Sequence, residues 1–348
     1  MVTVSLCMIV KNEEEKLATC LDCLKDLVDE MIIVDTGSTD KTIEIAKSYG
    51  AKVFQFEWTG SFSDARNYSF EQATCDFIYT ADADETIDEE NRERFKQLKE
   101  DIDLLDIDVV QMYYCNQLSH NTVYNFDREL RPKLFRRLRR YVWHDPIHEM
   151  VKLDSTVCNS EVEIWHNPTE DHGERDLSAF RRAVREGEYI SKRLHNMYAR
   201  ELFMVGTEED FMLSKEFFEE SIADNGRDLD QIKEAACVLA HIAVIDGKTE
   251  EILKYSLKDL TTIPSSEMCY ELGNFYRKKG DLDEAIVWYY NAAYETSPIL
   301  DIHRGGDMAM HKIAECYREL GNLDLAEDYE NEANKWEIPS GEKQQAIL

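Results

Sequence analysis

The first half of the chain alternates strand and helix patterns, and that alternation limits its fold more than any other feature. Apolar runs of strand length fall at residues 2–10, 31–34, 53–56 and 76–81. Between them lie stretches of helical spacing: 13–27, with Leu17, Leu21, Leu24 and Leu27 on one face, then 41–49, then 64–73. Gly50 follows the second of these as a left-handed helix stop. Strands joined by helical crossovers pair in parallel. The expected product is an α/β domain whose mostly parallel sheet is covered on both faces. In such sheets ligands gather outside the carboxyl ends of the strands. That rule puts Lys11 and Glu13, the run from Asp35 to Asp40, and Asp82 with Asp84 on one edge.

The sharpest chemical signal closes the fourth strand, where Phe77, Ile78 and Tyr79 lead into Asp82, Ala83, Asp84 and Glu85. Two carboxylates one residue apart are hard oxygen ligands that suit Mg2+ or Mn2+, with a substrate diphosphate completing the shell. The same acids also read as a turn before a helix, opened by a capping box of Thr86 and Glu89. Asp35 can accept a hydrogen bond from a uracil ring N–H, backbone groups near Ile9 can pair with the base edge, and Glu13 can hold ribose hydroxyls. Gly37 and Ser38 permit a tight strand-to-helix turn, and the whole run 35–40 equally reads as a capped helix start. Arg66 precedes the acidic strand on a helix, where its planar fork can reach a diphosphate or join a surface ion pair.

Taken in order, SLCMIVKNEE, IIVDTGSTDKT, FSDARN and YTADADE resemble the signature segments of family-2 glycosyltransferases of the GT-A fold. The resemblance implies a Rossmann-like nucleotide-sugar-binding domain, a UDP-sugar donor, a divalent ion (Mn2+ or Mg2+) and inverting transfer. It assigns donor contacts to Ile9, Val10, Lys11, Glu13, Asp35, Thr36, Gly37, Ser38, Arg66, Asp82 and Ala83. The metal would fall to Asp84 and Asp82, with His166, at the end of a strand over 162–166, as a third ligand.

Beyond the acidic strand the pattern gives a surface helix at 89–98, a strand at 109–115 and strand character from Tyr124. Arg128, Arg131, Lys133, Arg136, Arg137, Arg139 and Arg140 then face only Glu129. Such a patch can neutralise a diphosphate or dock an acidic acceptor, or it can stand in water along a hairpin. Residues 143–150 read WHDPIHEM. Inverting displacement needs a carboxylate to take the acceptor's proton. Glu149, after His148, is the candidate and Asp145 the alternative; I-H-E here resembles the motif of family members that bear tetratricopeptides. Either residue can instead be structural, His148 in the core and Glu149 paired with an arginine of the basic stretch. The polar stretch 167–174 reads as a loop that covers the donor.

From Leu177 the strand patterns cease and apolar residues recur at three and four. Residues 272–285 align with 313–326 at an offset of 321 − 280 = 41, and Pro298 and Pro339 keep it. This resembles the tetratricopeptide repeat, whose period is about 34, so an insertion at 297–307 is implied. Gly280 and Gly321 would make the inter-helix turns, and Trp288 reads as core. The division expected is a catalytic domain at 1–175, a helical connector at 176–262 and repeats at 263–340. Helices within 202–260 should complete the stack, or the array should pair with a second copy to form a homodimer.

The balance of 71 Asp and Glu against 40 Lys and Arg, a formal charge of −31, speaks against nucleic-acid binding. Nine scattered cysteines without paired metal spacing fit a reducing cytoplasm, and no apolar run is long enough to span a bilayer. The functional expectation is transfer of a hexose, of the glucose or N-acetylglucosamine type, to a Ser, Thr or Cys side chain of a peptide or protein. A saccharide or lipid-linked acceptor is one alternative, and a non-catalytic repeat scaffold with a vestigial nucleotide site is another.

Overall fold

The computed structural model describes residues 2–115, 128–167 and 173–337. The strand character from Tyr124, the middle of the polar stretch 167–174 and Pro339 lie outside them. The chain divides into two compact units at residue 171.

In the first unit β1 (Val4–Val10), β2 (Glu30–Asp35), β3 (Lys52–Gln55) and β4 (Phe77–Thr80) alternate with α1 (Leu17–Leu24), α2 (Thr42–Ser48) and α3 (Phe62–Glu71). The chain continues through β5 (Glu85–Thr86), α4 (Glu89–Leu104), β6 (Val109–Cys115), β7 (Glu129–Arg136), β8 (Trp143–His144), β9 (Met150–Val151) and β10 (Val157–His166). Eight strands form one sheet in the order β3-β2-β1-β4-β7-β6-β10-β5, and β8 pairs with β9 alone. Only β7 and β5 run against the other six. Alternation along β1 explains the layering. Leu6 and Met8 pack with Leu17, Leu21, Tyr79 and Phe95 on one face. Cys7 packs with Val34, Phe70, Phe135 and Trp143 on the other.

Two elements depart from the sequence reading. α1 starts at Leu17, not near Glu13, because residues 12–14 are bonded to the β2–α2 loop. β10 begins at Val157, five residues before the expected strand, because pairing of Val157 with Val109 draws in a polar stretch with no apolar run.

The second unit is helical: α5 (Gly173–Arg185), α6 (Lys192–Val205), α7 (Glu208–Ala223), α8 (Leu229–Asp246), α9 (Thr249–Leu260), α10 (Ser266–Lys278), α11 (Leu282–Tyr290), α12 (Asp307–Glu319) and α13 (Leu323–Ala333). α8/α9, α10/α11 and α12/α13 are packed pairs, and α8 lies against α10. Thus α8 and α9 form a helix pair that extends the stack before α10. Gly280 and Gly321 turn in the left-handed region, at φ +80° and +82°. The ring that fills the α10/α11 pair is Tyr289, fully buried over Gly273; Trp288 is only half-buried, so the core expectation falls one residue off.

The longer repeat period has a physical basis. Between α11 and α12 lie a π-helical turn at Asn291–Glu295 and a 3-10 turn at Ile302–Gly305. The fully buried Glu267 carboxylate accepts the N–H groups of Ile299, Leu300 and Asp301, at 3.0, 2.7 and 2.8 Å. One acid thereby satisfies backbone that no ladder reaches. Among the described residues no helix is long and apolar enough to cross a membrane.

Candidate active site

β4 stops at Thr80, so Asp82 and Asp84 emerge at the carboxyl edge of the sheet. Directly after Asp84 the chain pairs again, as β5, with the end of β10: Glu85 opposes His166 and Thr86 opposes Trp165. The Asn167 N–H closes the turn on the Asp84 carbonyl at 2.9 Å. This pairing sets His166 Nε2 3.4 Å from Asp84 Oδ2, with the imidazole ring 5.2 Å from that of Tyr114. Thr86 is spent on the strand, so the capping box with Glu89 does not form. Asp88 caps α4 instead, accepting from the Asn91 N–H at 2.9 Å.

Asp82 faces another way. Arg66 Nη2 donates to Asp82 Oδ1 at 2.8 Å, Nη1 donates to Thr80 Oγ1 at 3.2 Å, and Nε donates to Glu149 Oε1. The Arg66 and Glu149 side chains are each 11% exposed. Arg66 is therefore an internal clamp joining the acidic strand end to the candidate base, with three of its five N–H donors given to these partners. The sequence reading also paired Glu149 with an arginine of the basic stretch, whereas its partner comes from α3. Burial alone would raise the Asp82 carboxyl, but the Arg66 and Lys133 charges outweigh it and hold the group below the ordinary carboxylate range. The Arg66 guanidinium is pushed up by the same two acids, against burial.

The basic stretch is largely consumed inside the fold. Lys133 Nζ binds both oxygens of the buried Glu85, at 2.6 and 2.9 Å. Arg128 pairs with Glu163 at 2.8 Å and Arg131 with Glu129. Arg136 and Arg139 share Asp108, and Arg137 donates to the Cys75 carbonyl. Neighbouring acids and carbonyls thus engage six of the seven cations, while Arg128, Arg139 and Arg140 stay exposed to water.

On the nucleotide side, the β1–α1 and β2–α2 loops are stitched together. Asn12, at φ +55°, gives its N–H to Ser38 Oγ at 2.9 Å, and its Oδ1 accepts the Thr39 N–H at 2.8 Å. The Glu13 N–H donates to Thr42 Oγ1 at 2.7 Å, and Thr36 Oγ1 to the Val10 carbonyl at 3.1 Å. The buried Asp35 carboxylate accepts the Gly37 and Ser38 N–H groups and so closes a tight turn after β2; it does not cap α2, which starts at Thr42 behind Lys41. Ile9 and Glu13 are half-buried and Lys11 is exposed at this edge, while Val10 and Ala83 are buried. Asp145, His148 and Glu149 share the β8–β9 loop, in which Asp145 and His148 hold left-handed backbone at φ +72° and +48°.

Asn12, Thr80, Trp143 and the Lys133–Glu85 pair were not singled out from sequence. Asn12 carried one signal, since Asn is among the few residues that tolerate the left-handed region.

A crossover α/β sheet with paired acids at its carboxyl edge is an arrangement suited to a nucleotide ligand, and the family match states the class: a glycosyltransferase. Residues 5–151 match the model of glycosyl transferase family 2, and residues 266–333 match a tetratricopeptide repeat. A TPR repeat-containing protein of Synechococcus elongatus is 30% identical over 341 residues, which is 96% of this chain and 75% of that protein. The SPbeta prophage-derived glycosyltransferase SunS of Bacillus subtilis is 32% identical over 149 residues, 42% of this chain and 34% of that one. Among solved structures, glucosyl-3-phosphoglycerate synthase from Mycobacterium tuberculosis, in complex with Mn2+, UDP and glucosyl-3-phosphoglycerate, aligns at TM-score 0.42 and 18% identity, over 55% of this chain and 82% of that one. The chain belongs to glycosyltransferase family 2 and carries tetratricopeptide repeats after its catalytic part.

Proposed function

We propose that the chain transfers a hexose, of the glucose or N-acetylglucosamine type, from a UDP-sugar to a Ser, Thr or Cys side chain of a peptide or protein, with inversion and with a divalent ion. The observation that carries this reading is the charge at the strand end. Lys133 and Glu85 cancel as a buried pair. Asp82, Asp84 and Glu149 then stand against Arg66 alone, which leaves two negative charges. Asp84 Oδ1 is also buried without a hydrogen-bond partner. A buried carboxylate oxygen in that state asks for a cation.

The donor set fits a hard ion held by few protein ligands. Among the described residues no three His, Cys, Asp or Glu side chains come together so as to hold a metal ion, so the expected trio of Asp84, Asp82 and His166 is not assembled and protein ligands would be two. Asp84 and His166 would hold the ion, diphosphate oxygens and waters would fill the rest of its shell, and Asp82, turned to Arg66, would act on it through its charge alone. When bound, Mn2+ or Mg2+ supplies neutralisation of the charge that develops on the departing UDP.

The chain's own residues do the remaining work. The stitched loops carrying Lys11, Glu13 and Asp35–Ser38 orient the nucleotide. Glu149 accepts the proton of the acceptor hydroxyl or thiol while its oxygen or sulfur bonds to the anomeric carbon and the bond from that carbon to UDP breaks. Glu149 is preferred to Asp145 because Arg66 fixes it in one frame with Asp82. Support for a polypeptide acceptor comes from the helical repeats, an architecture that offers extended binding surface. The same helices can serve a homodimer, which sedimentation at two protein concentrations tests.

The central test titrates UDP into the wild type and Asp84→Ala, with and without Mn2+, and screens UDP-sugars for hydrolysis. The reading expects Mn2+-dependent UDP binding that Asp84→Ala abolishes, and one preferred UDP-hexose. UDP binding indifferent to both Mn2+ and Asp84 would overturn it.

A further inference from the structure

One face of α3 engages the segment that bears the candidate base. Phe62, Arg66, Asn67 and Phe70 lie on that face. The Phe62 N–H donates to the Pro146 carbonyl at 2.9 Å. Arg66 binds Glu149 and places its guanidinium 5.2 Å from the Trp143 ring. Phe70 meets that ring edge-on at 5.7 Å. Asn67 makes a different kind of contact. Its Oδ1 accepts the Trp143 N–H at 2.7 Å, and its Nδ2 donates to the Trp143 carbonyl at 2.9 Å. One side-chain amide thus pairs with both main-chain groups of a single residue, as a neighbouring strand would. Reversing the amide would set donor against donor and acceptor against acceptor, so its orientation is fixed.

The segment needs such a holder. β8 and β9 make a ladder of two residue pairs, Trp143 with Val151 and His144 with Met150. A ribbon that short is marginal by itself. Its loop also contains two non-glycine residues in the left-handed region, Asp145 and His148. Backbone of that kind persists where the surroundings restrain it.

We infer that Asn67 is a positioning residue for the transfer: by pinning Trp143 it holds the loop so that the Glu149 carboxylate stays within reach of the acceptor nucleophile. The inference rests on Glu149 as base, and Asn67 itself touches no substrate.

The test uses the full chain with Asn67→Ala, Asn67→Asp, Glu149→Gln and the double variant Asn67→Ala/Glu149→Gln. Three quantities are read: amide hydrogen exchange over residues 143–151, UDP affinity with Mn2+, and kcat and KM for hydrolysis of the UDP-sugar that the wild type turns over. Asn67→Ala should speed exchange at Trp143 and lower kcat by about tenfold or more, with UDP affinity and donor KM within about twofold. Asn67→Asp keeps the acceptor for the Trp143 N–H, so its loss should be smaller. It should recover relative to wild type as pH falls and protonation restores a donor. The double variant should be no slower than Glu149→Gln alone. Unchanged exchange at Trp143 would overturn the inference, as would an unchanged kcat in Asn67→Ala while Glu149→Gln is impaired, or a kcat loss matched by a loss of UDP affinity. A Glu149→Gln enzyme with wild-type turnover would instead remove the base assignment, and Asn67 would then stand or fall on the exchange result.

Discussion

Lys133 binds Glu85 through both carboxylate oxygens, at 2.6 and 2.9 Å, and both side chains are almost fully buried. Such a pair gives little net stability, yet losing one partner leaves a charge stranded in the interior. Lys133→Met should therefore destabilise the catalytic unit by about 3–5 kcal/mol. Adding Glu85→Leu should recover most of that loss. Urea unfolding of the wild type, the single and the double variant measures both steps.

Arg66 holds three partners with one planar fork, and a lysine cannot. Arg66→Lys should keep the positive charge while releasing Thr80 and one of the two acids. A displaced base costs on the order of a hundredfold in turnover. The expected result is that loss in kcat for donor hydrolysis together with a lower melting temperature, because one acid of a mostly buried cluster loses its partner, read by steady-state kinetics beside a thermal melt.

His166 reaches Asp84 only through the pairing of β5 with β10. If it ligates the ion, His166→Ala should raise the Mn2+ concentration needed for half-maximal UDP binding by about tenfold or more. His166→Gln should behave in the same way, since an amide is a poorer ligand than imidazole. Calorimetric titration of UDP at a series of Mn2+ concentrations checks it, and a flat response would leave His166 as a ring packed on Tyr114.

In the repeat unit Glu271 is fully buried between His241 and Arg304. Burial would raise its carboxyl, but His241 and Arg304 beside it outweigh that and bring it to about 2 from an ordinary 4.5. A carboxyl depressed by folding stabilises the fold above its ordinary value, and the benefit is lost as pH falls toward the folded one. The repeats should accordingly lose stability between about pH 4.5 and pH 2, and Glu271→Gln should flatten that acid limb. Melting temperatures across this range, followed by helical circular dichroism, give the comparison.

What the sequence disclosed and what it hid follow from range. The strands around Met8, Ile33 and Tyr79 are apolar runs, and Asp82 and Asp84 sit at the end of one, so the edge and its acids were readable locally. The Asp84–His166 approach depends on a two-residue pairing between segments about eighty positions apart, which leaves no local pattern. Arg66 was legible as a functional arginine, but its partners were not, because Glu149 arrives from a loop 83 residues on. The pairing of the basic stretch was hidden because its counter-charges Glu85, Asp108 and Glu163 come from other strands and loops. Tyr289 and Trp288 differ by one position, and a single helix of three adjacent aromatics does not fix which of them points inward.

The carboxylate of Glu267 makes α10 and the stretch before α12 a matched set. Replacing either repeat with a standard one of about 34 residues would leave a buried carboxyl facing no amides, or three amides facing no acid. The final repeats of this array are therefore not modules that recombination can shuffle singly. They should be inherited, lost or exchanged together.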